Sequence, residues 1–190
     1  MLFSQNKAYS SEIIISNGLT STAVSNFVSF SMNLQFINNE DPIKVTIKNK
    51  AIDAAFWTSL GTFLENEKTP KCQHLSFDGC TFPAGFQNLH MDLPDISITN
   101  SKLTDECLEI LFHYLNPYYL SNLNLSNNEL GKNEEAIREV FRKKLYDLFG
   151  LSTLNLSGNP IKKELLEELQ ENLKLESKNT KIIHEKLESN

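Results

Sequence analysis

Arginine is almost absent from this sequence: Arg138 and Arg142 are the only two, and lysine does not make up the difference. The 18 basic residues stand against 24 acidic ones, giving a formal charge of −6. A chain with that balance has no basic face to neutralise phosphates, so nucleic acid is not its expected partner. Long apolar runs are missing too. None approaches the ~20 residues that cross a bilayer, so no membrane span is expected. The first residues, MLFSQNKAYSSEIIIS, lack the basic start, long apolar middle and small-residue cleavage site of a secretory signal. Cysteine is scarce. Cys72, Cys80 and Cys107 make an odd number and no C-x-x-C pair, which suits a reducing compartment better than a disulfide framework.

What is present is an ordinary globular composition, 40% hydrophobic and 22% charged, in 190 residues that can bury one core. Its organisation shows in the stretch LSNLNLSNNEL, with Leu120, Leu123, Leu125, Asn128 and Leu130 at offsets 0, 3, 5, 8 and 10. LSTLNLSGNPI repeats the pattern with Leu151, Leu154, Leu156, Asn159 and Ile161. LPDISITNSKL gives Leu93, Ile96, Ile98, Ser101 and Leu103. CQHLSFDGCTF gives Cys72, Leu75, Phe77, Cys80 and Phe82. PIKVTIKNKAI is looser, with Pro42, Val45, Ile47 and Ile52, and departs at offset 8 with Lys50. The five starts are 30, 21, 27 and 31 residues apart, a spacing that predicts stacked supersecondary units.

These residues resemble the leucine-rich repeat, L-x-x-L-x-L-x-x-N/C-x-L, and their spacing is similar to its longer, ribonuclease-inhibitor-like class. The resemblance covers 42–176. It implies an α/β solenoid, with a curved parallel sheet on the concave side and helices on the convex side. The whole chain, 1–190, is then one domain. Residues 1–41 form a degenerate N-terminal cap or repeat, 42–176 the repeats, and 177–190 a C-terminal edge strand and tail.

Physics accounts for each position. Offsets 3 and 5 lie on one face of a short strand because side chains alternate. The chain must then leave the sheet, and an inward Asn at offset 8 can bond the main-chain groups stranded there. Helical spacing predicts the return paths. Phe56, Leu60, Phe63 and Leu64 form the first apolar face. Cys107, Leu108, Leu111 and Leu115 form the second, with Thr104 or Asp105 as N-cap. Ile137, Val140, Phe141, Leu145 and Leu148 form the third, with Gly150 as a stop, and Leu165, Leu166, Leu169 and Leu173 the fourth. Pro83 and Gly85 predict an irregular return after the Cys72 segment. At the N-terminus, Ile14, Asn17 and Leu19 fit offsets 5, 8 and 10, which leaves Glu12 in an apolar slot, and a helix follows. A tight turn is expected at residues 38–42. TKIIHEKL reads as a last edge strand blunted by Lys181, His184 and Lys186, followed by a frayed tail.

Offsets 2, 4 and 6 should face away from the core and form the candidate protein-binding face. Offset 2 supplies Lys44, His74, Asp95, Asn122 and Thr153. Offset 4 supplies Thr46, Ser76, Ser97, Asn124 and Asn155. Offset 6 supplies Lys48, Asp78, Thr99, Ser126 and Ser157. Small polar residues suit a solvated sheet face as well as a contact surface, and the Trp, Tyr and Arg typical of binding anchors are missing from it. Trp57 belongs with the core aromatics Phe56 and Phe63, or on the helical flank as an anchor. His74, Asp78 and Asp95 fall on adjacent strands, but no His-rich spacing motif accompanies them, so neither a metal nor another cofactor is expected. Cys107 and His113 project about 240° apart on one helix at ~100° per residue, which does not make a nucleophile and its base.

The expected function is therefore non-enzymatic: a monomeric module that binds another protein. The glutamates of 162–176, the arginine-poor usage of an AT-rich genome and the missing signal peptide are similar to repeat effectors of intracellular bacterial pathogens. That resemblance implies type IV secretion, by a signal-peptide-independent route into the host cytosol, and a host protein as partner. The alternatives are a cytoplasmic eukaryotic-type scaffold or regulator, a small enzyme using His74, Asp78 and Asp95, and a chain that oligomerises through its edge strands.

Overall fold

The computed structural model describes residues 11–16, 42–65, 71–83, 85–86, 92–176 and 178–185. Seven strands form one sheet in chain order, and every neighbouring pair is parallel. They are β1 (Ser11–Ile15), β2 (Ile43–Lys48), β3 (Cys72–Asp78), β4 (Asp95–Thr99), β5 (Asn122–Asn124), β6 (Thr153–Asn155) and β7 (Lys181–Ile183). Parallel neighbours cannot be joined by a tight hairpin, so each pair needs a long return. Among the described residues, α1 (Ala54–Glu65), α2 (Asp105–Tyr114), α3 (Glu134–Lys144) and α4 (Lys163–Leu175) follow β2, β4, β5 and β6. The protein is α/β. After β3 the described residues are not helical: Gly85, at φ +66, donates its N–H to Phe82 O at 3.0 Å and turns the chain.

Register makes the core. Val45, Leu75, Ile96, Leu123, Leu154 and Ile182 stand opposite one another across β2 to β7, and Ile47, Phe77 and Ile98 form a second row. Leu125 and Leu156 continue that second row just beyond the shortened strands. All of these are buried except Ile182, which packs half-buried at the edge. Each such side chain contributes about 1.5–3 kcal/mol by leaving water. The helices cover this face with Phe56, Trp57, Leu60 and Phe63, with Leu108, Leu111 and Phe112, with Ile137, Val140 and Phe141, and with Leu165, Leu166, Leu169 and Leu173. Leu115, Leu145 and Leu148 are buried beside them, whereas Leu64 and Cys107 are half-buried. Trp57 is core rather than a surface anchor: its ring is 2% exposed and its Nε1–H donates to Gly85 O at 2.9 Å.

Helix starts follow local chemistry. Asp53 Oδ1 accepts Phe56 N–H at 2.8 Å, and Asn133 Oδ1 accepts Ala136 N–H at 3.1 Å. Thr104 is the N-cap residue of α2, though its side chain makes no capping bond to the helix main chain. Lysine and arginine close α3, complementing the partial negative charge of its C-terminus. Gly150 does not stop that helix directly, because a 3₁₀ turn, Leu145–Asp147, intervenes. Its role is close approach: a Cβ there would lie 2.7 Å from Tyr118 O and 2.9 Å from Leu120 O.

The first strand corrects one sequence reading. Ile13 pairs with Val45 and Ile15 with Ile47, so Ile15, not Ile14, fills the offset-5 slot. Ile15 is buried, Ile14 is 54% exposed on the other face, and Glu12 stands opposite Lys44 rather than in an apolar slot. Of the remaining terminal expectations, the N-terminal helix, most of the 38–42 turn, Lys186 and the tail lie outside the described residues.

Each segment leaves the sheet in the same way. At offset 7, Asn49, Gly79, Asn100, Asn127 and Gly158 all have positive φ, between 51° and 71°. Glycine and asparagine are the residues that tolerate this conformation. Their N–H groups donate to the following segment, at Asp78 O, Thr99 O, Ser126 O, Ser157 O and Glu185 O, at 2.8–3.4 Å. Offset 8 then points inward. Asn128 Nδ2 donates to Ile98 O at 2.7 Å and Leu125 O at 3.0 Å, while its Oδ1 accepts from Ser101 N and Leu103 N. Asn159 repeats this toward Leu125 O, Leu156 O and Leu130 N. Ser101 keeps a shorter version, accepting Cys80 N–H and donating to Thr99 O. Cys80 reaches only as far as a weak thiol bond to Ile47 O at 3.4 Å. Lys50 drops out of the series and sits with Nζ 5.3 Å from the centroid of Phe56.

Candidate functional site

Alternation along the strands puts a second set of side chains on the face opposite the core. Pairing aligns them in columns across the sheet. One column runs Glu12, Lys44, His74, Asp95, Asn122, Thr153 and Lys181. The next runs Ile14, Thr46, Ser76, Ser97, Asn124, Asn155 and Ile183. The third has Lys48, Asp78 and Thr99, with Ser126 and Ser157 following the shorter strands β5 and β6. The structure thus brings the sequence-predicted residues together on one face.

They are not equally accessible. Thr46, Ser76, Asp95 and Ser97, expected on a solvated surface, are buried among their neighbours. Thr46, Ser76 and Ser97 face one another across β2 to β4, and the longer Lys44, Lys48, His74 and Asp78 flank this short row along the strands. The more accessible groups in this part of the face are Lys44, Lys48, His74 and Asp78. Toward β5 and β6 the face opens. Asn122 is exposed, and Asn124, Ser126, Thr153, Asn155 and Ser157 are half-exposed. Asn124 Oδ1 and Asn155 Oδ1 turn back to accept Ser126 N–H at 3.1 Å and Ser157 N–H at 3.0 Å, fixing their side chains.

Charge is concentrated on the first strands. Glu12 accepts the Thr46 hydroxyl at 2.7 Å and pairs with Lys44 at 3.2 Å. The Thr46 bond, then Lys44, holds the Glu12 carboxyl below its ordinary pKa. Burial and the nearby Lys44 ammonium push His74 below the usual histidine value, against the opposing pull of Asp95 and Glu12. Asn122 Nδ2 donates to Asp95 Oδ1. Asp78 Oδ1 accepts from Asn100 Nδ2 at 2.7 Å and Thr99 Oγ1 at 3.3 Å.

His74 faces Asp95 directly, but Asp78 belongs to another column, four residues along the same strand, or roughly 13 Å at ~3.3 Å per residue. Among the described residues no group of three His, Cys, Asp or Glu side chains is arranged to hold a metal ion. Burial pushes the Cys72 thiol up to about 12, and the Cys80 thiol upward as well, so both are neutral near pH 7. Their sulfurs donate to His74 O and Ile47 O, each at 3.4 Å, which are structural bonds. No described helix is long and apolar enough to cross a membrane.

Beside the open part of the face stands an aromatic pair that lies outside the eleven-residue motif. Tyr118 and Phe149 precede β5 and β6, thirty-one residues apart, and their rings stack at 5.4 Å with 19° between planes. They are 73% and 62% exposed, and Tyr119 beside them is exposed too. Lys178 Nζ lies 4.7 Å from the Phe149 centroid and donates to Tyr146 O. Burial at this contact lowers the Lys178 pKa from its ordinary value. The sequence signal is an aromatic residue two positions before offset 0 in both segments. Neither a known protein-family model nor a curated protein matches this chain.

Proposed function

We propose that the chain is a leucine-rich-repeat solenoid, curved with its polar columns on the concave side, and that it works as a non-enzymatic protein-binding module. The recurring offsets, the left-handed residue at offset 7 and the inward amides at offset 8 support the repeat reading. The observation that carries the binding reading is the exposed Tyr118–Phe149 stack beside the accessible Asn122, Asn124, Asn155 and Ser157. Tyrosine and other aromatic residues supply large, stiff contact area and are enriched at interface anchors, and small amides around them supply adaptable hydrogen bonds. The contact surface runs from this aromatic rim onto the sheet face of β5 and β6.

The setting we propose is a host cell, reached by the protein from an intracellular bacterium, with a host protein as partner. This rests on the glutamate-rich 162–176 stretch and the arginine-poor composition. In the structure those glutamates are partly engaged: Glu167 pairs with Lys163 at 3.1 Å and Glu168 with Arg138.

The test is affinity capture from host-cell lysate, with the tagged chain beside Tyr118→Ser/Phe149→Ser and Asn122→Lys/Asn155→Lys versions. The expected result is a saturable protein partner whose retention falls at least tenfold in both variants, each of which keeps the circular dichroism spectrum of the folded chain. Absence of any saturable partner, or a partner retained equally by all three proteins, would overturn the reading.

A further inference from the structure

The last strand carries a guard. β7 turns Lys181 and Ile183 toward β6: Lys181 N–H donates to Ser152 O at 2.9 Å, and Ile183 O accepts Leu156 N–H at 2.8 Å. Alternation turns the polar groups of Thr180 and Ile182 to the outer edge. Both meet a single side chain from α4. Gln170 Oε1 accepts Ile182 N–H at 3.1 Å, and Gln170 Nε2 donates to Thr180 O at 3.2 Å.

That geometry is diagnostic. In an antiparallel pair, a residue exchanges both bonds with one partner residue. In a parallel pair it bonds the carbonyl before and the N–H after the residue it faces. Gln170 does the latter, around Lys181. Its carboxamide therefore occupies the hydrogen-bonding place of one residue of an eighth parallel strand. Beside it, Ile161, Leu166 and Ile182 line a cleft of about 920 Å³ with Pro160, Lys163 and His184. The cleft continues the offset-3 row that ends at Ile182.

We propose that the β7 edge is a second interaction site, which receives an extended segment of another protein as an added parallel strand once Gln170 swings away. The existing columns set the chemistry of that segment. Facing Lys181 it carries an acidic residue, as Glu12 faces Lys44 and Asp95 faces His74. Facing Ile182 and His184 it carries aliphatic residues that enter the cleft, and between them, facing Ile183, any residue. The segment is thus acidic–aliphatic–any–aliphatic, the pattern of Glu12–Ile15 and Asp95–Ile98 in this chain's own strands. Main-chain bonds supply the affinity and the cleft the selectivity, as in other strand additions. Gln170 keeps the edge satisfied while it is empty, which restrains indiscriminate edge pairing.

This site is independent of the open face, so either can fail alone. The test uses the full chain and a fluorescent peptide copying residues 93–100, followed by anisotropy. Gln170→Ala is expected to bind roughly fivefold more tightly than the wild type, since no side-chain bond has to be broken first. Lys181→Glu is expected to lose the peptide and to prefer one with lysine in place of its aspartate. Amide exchange read by NMR is expected to slow at Ile182 and His184 on binding, with no change at Asn122 or Asn155. No binding by either protein, or binding indifferent to Gln170 and Lys181, would overturn the proposal. So would concentration-dependent self-association of Gln170→Ala in light scattering, which would make the occupant a second copy. Circular dichroism on each variant separates lost binding from lost folding, and Gln170→Glu, which keeps the acceptor but not the donor, is expected to fall between wild type and alanine.

Discussion

Asp105 opens α2, yet its carboxylate serves Gly131, 26 residues later: Oδ1 accepts Gly131 N–H at 2.7 Å. Oδ2 accepts Asn133 N–H at 3.0 Å, so one buried side chain ties the start of α2 to the corner before α3. The corner has little slack. Gly131 has φ +87, and a Cβ on it would lie 2.8 Å from Ile161 Cα.

Removing both acceptors leaves two main-chain donors stranded at this corner. Asp105→Ala is expected to destabilise the protein by about 3 kcal/mol, taking ~1.5 kcal/mol for each bond to a charged group. Asp105→Asn keeps one acceptor and should lose about half as much. Urea denaturation checks both values. Equal losses for the two variants would mean that shape, not hydrogen bonding, holds the corner.

The inward residues at offset 8 form a graded series, which makes a second experiment. Asn128 bonds main-chain groups of two segments, Ser101 bonds one neighbour and itself, and Cys80 only weakly touches the preceding segment. Asn128→Ala is expected to cost about 3 kcal/mol, from several orphaned buried groups, and Ser101→Ala about 1 kcal/mol. Chemical denaturation of the two variants gives the order. Its reversal would show that the amide is not what ties the segments together.

His74 sets an acid limit. Burial and Lys44 lower its folded pKa below the unfolded value, while Asp95 and Glu12 pull the other way. Unfolding then takes up a proton, so the histidine's contribution is complete above the unfolded value of about 6.5 and fades as pH falls through the folded one. His74→Gln should show a shallower loss of melting temperature than the wild type below that pH. NMR titration of the wild-type imidazole should place its midpoint under ~6.5. A midpoint above it would reverse the sign.

Much of this arrangement was legible in the sequence, for identifiable reasons. Leu123, Leu125, Leu154 and Leu156 alternate with polar residues, and that period predicts both strands and their common apolar face. The helix faces read equally well, because Ile137, Val140 and Phe141 recur at helical spacing. The first strand did not read cleanly. Ile13, Ile14 and Ile15 are consecutive, so composition does not distinguish two registers one residue apart, and only pairing with Val45 and Ile47 does. The left-handed exit was present in the sequence as Asn49, Gly79, Asn100, Asn127 and Gly158, but the leucine template gives no reason to look at offset 7.

What stayed hidden depends on distance in the chain. Gln170 reaches Thr180 and Ile182 only once the end of α4 has folded back along β7. No local period encodes that meeting, whereas Tyr118 and Phe149 stand at equivalent places before offset 0. Burial of Thr46, Ser76 and Ser97 belongs to the same kind, because a small polar residue reads as surface until its flanking strands are placed.

The five Asn and Gly exits divide the labour between conformation and chemistry. Where the main chain bends is dictated by two residue types that accept the bend, while the outward Asn124 and Asn155 each lend an acceptor to the main chain just ahead of it. A substitution at either asparagine therefore touches the bend as well as the surface.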